Sequence, residues 1–78
     1  MSRYPKPLTA LQPGERGVIT ELRGGRAFKA RMTGMGLNEN NVIELVQGDE
    51  NSPVVIGIGS SRVVIGHGMA QKVMVCVE

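Results

Sequence analysis

The chain has 78 residues, which leaves room for one domain around one core. Hydrophobic residues make up 41% but aromatics only 3%, so that core must be built from Val, Ile, Leu and Met. A formal net charge of +2, nine cations against seven anions, is too small to point by itself to a nucleic acid or a membrane surface.

Residues 1–7 read as a flexible lead-in, because Pro5 and Pro7 favour extended backbone and donate no hydrogen bonds. The two cations there have no apolar stretch behind them, so a signal peptide is not expected. The remaining residues, 8–78, are expected to form a single domain. Leu8 and Leu11 then mark a short turn that packs two leucines onto the core, and Pro13-Gly14 marks a tight turn. Gly17 to Leu22, carrying β-branched Val18 and Ile19, predicts the first strand.

The spacing of Phe28, Met32 and Met35 predicts a helix over 26–35 with those three on one face. Gly36 stands where a helix end takes a left-handed residue. From Asn41 the pattern turns extended. Strands are predicted at 42–46, 54–58, 62–65 and 72–78, with Gly59-Ser60 as a hairpin turn. Gly66 to Ala70 is too glycine-rich for a long helix and predicts one 3-10 turn before the last strand. Five short strands with alternating apolar residues and one inserted helix predict a mainly β fold, a small SH3-like barrel.

Catalytic chemistry is poorly supplied. His67, Asp49 and Cys76 are single representatives of their types, widely spaced along the chain. His67 lies between two glycines and reads as an exposed turn residue. Cys76 reads as a small apolar group in a strand, and being alone it forms no internal disulfide, which suits an intracellular protein. No paired Cys or His spacing indicates zinc, and no phosphate-cradling loop is present. Hence no catalytic residue, no metal ligand set and no cofactor are expected. No apolar run approaches the ~20 residues needed to span a bilayer, so direct membrane insertion is not expected either. Between Arg23 and Asn38 the chain has four cations (Arg23, Arg26, Lys29 and Arg31) and no acid. This is a basic patch suited to phosphates or to an acidic protein face. For nucleic acid it lacks aromatic stacking partners.

The order of motifs carries a family resemblance. Leu8-Thr9-Ala10-Leu11 and Pro13-Gly14-Glu15-Arg16-Gly17 lead into Val18-Ile19-Thr20-Glu21-Leu22. Arg31-Met32-Thr33-Gly34-Met35-Gly36-Leu37 follows, then Val42-Ile43-Glu44-Leu45-Val46, then Pro53-Val54-Val55-Ile56, Ser61-Arg62-Val63-Val64-Ile65-Gly66 and Val73-Met74-Val75. Over residues 8–77 the chain resembles the FeoA family, ferrous iron transport protein A. The resemblance implies an SH3-like barrel with an inserted helix. It also implies a cytosolic, non-enzymatic accessory of ferrous iron uptake that contacts the FeoB membrane transporter from the cytoplasmic side. One departure is Glu39-Asn40, where the family often has Pro-Gly; Asn tolerates the left-handed backbone, so the turn can survive.

The candidate contact surface is the helix end and its exit: Arg31, Met32, Met35 and Leu37. A short helix across a barrel mouth can leave part of its apolar face exposed. Weak self-association is compatible with this reading. Two other classes are set beside it. One is a small basic barrel binding nucleic acid through Arg23, Arg26, Lys29 and Arg31. The other is an Fe(II) sensor or carrier, for which His67, Cys76, Asp49 and Glu50 are the few available transition-metal ligands.

Overall fold

In chain order the described residues, 4–49 and 52–78 of the computed structural model, form β1 (Lys6–Pro7), a 3-10 turn (Leu8–Ala10), β2 (Arg16–Leu22), α1 (Arg26–Gly34), β3 (Val42–Gln47), β4 (Val54–Ile58), β5 (Ser61–Ile65), α2 (His67–Ala70) and β6 (Val73–Val77). The strands make one six-stranded sheet in the order β1-β6-β2-β3-β4-β5, antiparallel throughout.

Alternation places Ile19, Ile43, Leu45, Val54, Ile56, Ile65, Val73 and Val75 on the covered face, each 2% exposed or less. Ile19 and Leu22 are three apart, which would put them on opposite faces of a regular strand. A bulge between Ile19 and Glu21 shifts the register against β6 and turns both inward. Gly17 serves another need: a Cβ there would lie 2.5 Å from Val75 Cγ1 and 2.6 Å from the Cys76 carbonyl oxygen. Only glycine lets β2 and β6 approach this closely. Leu8, Leu11, Met32, Leu37 and Ala70 close the core from the turn and the helices.

The closed five-stranded barrel expected from the sequence is not formed. The sheet is open, with six strands, and no ladder joins β5 to β1. The sixth strand lies in the segment taken as lead-in: Lys6 pairs with Val75 and Pro7 with Met74. This strand stops after two residues because Pro7 has no N–H to extend a ladder and the chain turns at once into the 3-10 helix. So short an edge cannot close on β5. The helical turns are also exchanged relative to expectation. The 3-10 turn is at Leu8–Ala10, closed by Leu11 N–H donating to the Leu8 carbonyl at 3.1 Å. The element before β6 is α-helical, with Ala70 N–H donating to Gly66 and Gln71 N–H to His67. Fully buried Ala70 and core-packed Met69 supply contacts that outweigh the cost of Gly68 in the helix. No helix among the described residues is long and apolar enough to cross a membrane.

Candidate partner-contact surface

Helix α1 is inserted between β2 and β3 with one face on the core. Met32 is fully buried, and Phe28 and Met35 pack half-buried beside it. Helical geometry then places Lys29 and Arg31 on the two flanks of this buried stripe, and Arg26, Ala30 and Thr33 outward. All five are exposed. The helix carries no acid, and Arg31 lies in its last turn, where a cation favours the helix end.

The exit from α1 is tightly specified. Gly36 has φ +89°, the left-handed conformation that a side chain disfavours. It lets two N–H groups fold back: Gly36 donates to the Thr33 carbonyl at 3.0 Å and Leu37 to the Met32 carbonyl at 2.8 Å. The same reversal drives Leu37 into the core against Met32, and both are fully buried. Asn41 then donates its side-chain amide to the Gly36 carbonyl at 2.9 Å. Asn40 adopts φ +74°, the left-handed turn anticipated for Glu39-Asn40. Its N–H donates to the Ile19 carbonyl at 2.7 Å, and Ile19 N–H donates to Asn41 at 2.9 Å, which ties the loop to β2.

The four residues named from the sequence therefore separate. Arg31 is exposed and Met35 is half-buried at the surface, whereas Met32 and Leu37 lie in the core beneath them. Of the four cations, Arg26, Lys29 and Arg31 sit on α1, while Arg23 precedes it and pairs with Glu21 at 3.0 Å. Lys72 joins this region unannounced by sequence distance. Its ammonium lies 5.6 Å from the Phe28 ring, a cation–π contact. The backbone contact that brings it there is Arg23 N–H donating to the Lys72 carbonyl at 2.7 Å.

Only two of the candidate metal-binding side chains, Asp49 and His67, come together among the described residues. Among the described residues no group of three or more His, Cys, Asp or Glu could hold a metal ion. Asp49 and His67 share a shallow cavity of about 90 Å³ with Thr9, Leu45, Gly48 and Val54. Cys76 is half-buried in β6, and Glu50 lies outside the described residues. His67 is not the exposed turn residue expected. It is half-buried at the start of α2, and its Nδ1 is buried without a hydrogen-bond partner.

The FeoA domain family profile matches residues 6–77. A Methanocaldococcus jannaschii protein, provisionally named Fe(2+) transport protein A, is 30% identical over 69 residues, spanning 88% of this chain and 83% of its own. A crystal structure of an iron uptake regulatory protein (FeoA) superposes with a TM-score of 0.91 at 29% identity, covering 96% of this chain and all of that one. Iron(II) transport protein A from Clostridium thermocellum gives 0.83 at 28% identity, over 91% of this chain and 44% of the other. A manganese-dependent transcriptional repressor gives 0.88 at only 16% identity and 38% of its length, so that likeness is one of fold alone.

Proposed function

This chain belongs to the FeoA family, and from that premise we propose that it works in the cytoplasm as an accessory of ferrous iron uptake by touching the cytoplasmic part of a FeoB-type transporter. The observation that carries the reading is the match of the FeoA domain to residues 6–77, nearly the whole chain. FeoA-family domains act as accessory proteins beside such transporters and not as catalysts. Iron is then the cargo of the partner.

The surface suited to that contact is the exposed side of α1. Arg26 on its outward side and Lys29 and Arg31 on its two flanks make that side cationic without a competing carboxylate on the helix, and half-buried Met35 adds an adaptable apolar edge next to Arg31. Met32 and Leu37 hold this surface in place from below. The partner patch is expected to be acidic with an apolar centre, since complementary charge steers association and fixes register.

NMR titration of the labelled chain with the cytoplasmic domain of a FeoB-type transporter tests the reading. Shifts are expected to cluster on Arg26, Lys29, Arg31 and Met35. Exposed ion pairs contribute about 0.2–1 kcal/mol each, so reversing two of them in Lys29→Glu/Arg31→Glu should weaken binding roughly tenfold. Shifts confined to another face would refute the surface, and no binding at all would refute the partner.

A further inference from the structure

Among the described residues strand β5 ends the sheet, with β4 on one side and no strand on the other. Ile58 pairs with Ser61 across the two-residue Gly59-Ser60 turn, and the register then runs without interruption to Val54 and Ile65. In such a hairpin the pair next to the turn exchanges hydrogen bonds. Alternation therefore directs the backbone groups of Ser61, Val63 and Ile65 toward β4 and those of Arg62 and Val64 outward. Among the described residues no backbone bond outside the β4 ladder takes up the N–H or C=O of Arg62 or Val64. Natural edge strands are usually blunted by proline, charged side chains, a bulge or a covering segment. Here Ser61-Arg62-Val63-Val64-Ile65 has no proline and no bulge, its one charge is Arg62 near the turn, and Val64 is 56% exposed.

We infer that β5 pairs antiparallel with β5 of a second copy of this chain, about a twofold axis centred on Val64. The strand is complementary to itself in that register. Val64 meets the partner's Val64, and since Val55 pairs with Val64 within each copy, the contact joins two Val55–Val64 pairs into one continuous apolar row. Arg62 falls opposite Gly66 of the partner subunit, which has no side chain to collide with it. Gly66 is extended, with φ −66° and ψ 151°, so the strand geometry carries through it. Its carbonyl already accepts from Met69 and Ala70, but its N–H makes no backbone bond among the described residues and can donate to the Arg62 carbonyl across the axis. A register centred on Arg62 would instead set two guanidinium groups face to face, where like charges repel. The occupant is thus an identical strand. A strand from an unrelated protein would have to match the same spacing by chance.

Sedimentation velocity and amide hydrogen exchange on the full chain, over a concentration series reaching about 1 mM, test this weak association. The chain should sediment increasingly as a dimer. Exchange at the Arg62, Val64 and Gly66 amides should slow several-fold with concentration, while α1 amides stay unchanged. Val64→Lys sets two ammonium groups across the axis and should weaken dimerisation at least tenfold. Val42→Lys, at another exposed valine on β3, should leave it intact. A chain that stays monomeric throughout, a dimer that leaves the Arg62 and Val64 amides unprotected, or equal loss in both variants would overturn the inference. Failure here leaves the transporter reading untouched, because that reading rests on the family match and its contact surface lies on α1, not β5.

Discussion

At residue scale, the contrast between Leu37 and Met35 separates scaffold from surface. They stand two positions apart at the end of one helix, yet Leu37 is fully buried and Met35 only partly so. Replacing a buried leucine by alanine costs about 2–5 kcal/mol, the lost transfer energy plus the cavity left behind. Leu37→Ala should therefore lower the urea midpoint sharply, and Met35→Ala by well under half as much. The reverse order is expected for transporter affinity, with Met35→Ala weakening it while the fold persists. Denaturation and titration of the two variants side by side check the assignment. Gly36 sets this division, since its positive φ turns Leu37 inward and leaves Met35 at the rim.

At the scale of elements, the β2–β6 pair is the seam on which the sheet depends. Gly17 faces Val77 across it, and Ile19 faces Val75. An added methyl at Gly17 would meet backbone as well as side chain, so it cannot be relieved by a rotamer change alone. Overpacking of this kind costs typically about 1–3 kcal/mol. Gly17→Ala is expected to fall in that range and Gly17→Val to exceed it, both read by thermal unfolding. Gly25→Ala is the control, because nothing lies within 4 Å of a Cβ at that exposed position and its φ of −74° suits any residue. Equal losses at the two sites would refute the account of the seam.

At the scale of the whole molecule, the two ends of the open sheet play different parts. The β1 edge is covered by its own brevity: two residues, a proline, and a turn that sends the chain away. It still caps β6, and Lys6 reaches Glu15 at 4.0 Å. That partly exposed, long ion pair contributes less than about 1 kcal/mol. A chain beginning at Leu8 loses the pairing of Lys6 and Pro7 with β6 and exposes Met74, which is only 5% exposed in the intact fold. Its melting temperature should fall by several degrees relative to a chain beginning at Tyr4, since about 1 kcal/mol shifts the transition of a domain this size by roughly 4–8 °C. No difference between the two would mean that β1 is not part of the cooperative unit.

Much of this was legible in the sequence, because local periodicity reports which face of an element is apolar. The helix and its stop at Gly36, the hairpin at Gly59-Ser60, and the extended segments that become β3, β4, β5 and β6 follow from spacing and turn chemistry. The order of those motifs carried the family. What the sequence did not decide was anything that depends on two distant segments meeting. The strand at Lys6–Pro7 exists only because β6 lies beside it, and prolines in isolation argue against a strand. Whether the sheet closed depended on how far β1 could run, which no local pattern states. Periodicity set Phe28, Met32 and Met35 on one face without ranking them by burial, and Leu37 stood beyond the helix it predicts. Only the chain reversal after α1, packed against the finished sheet, sent Met32 and Leu37 inside and left Met35 with Arg31 at the surface. Burial is a property of the assembled core, and tertiary packing alone assigns it.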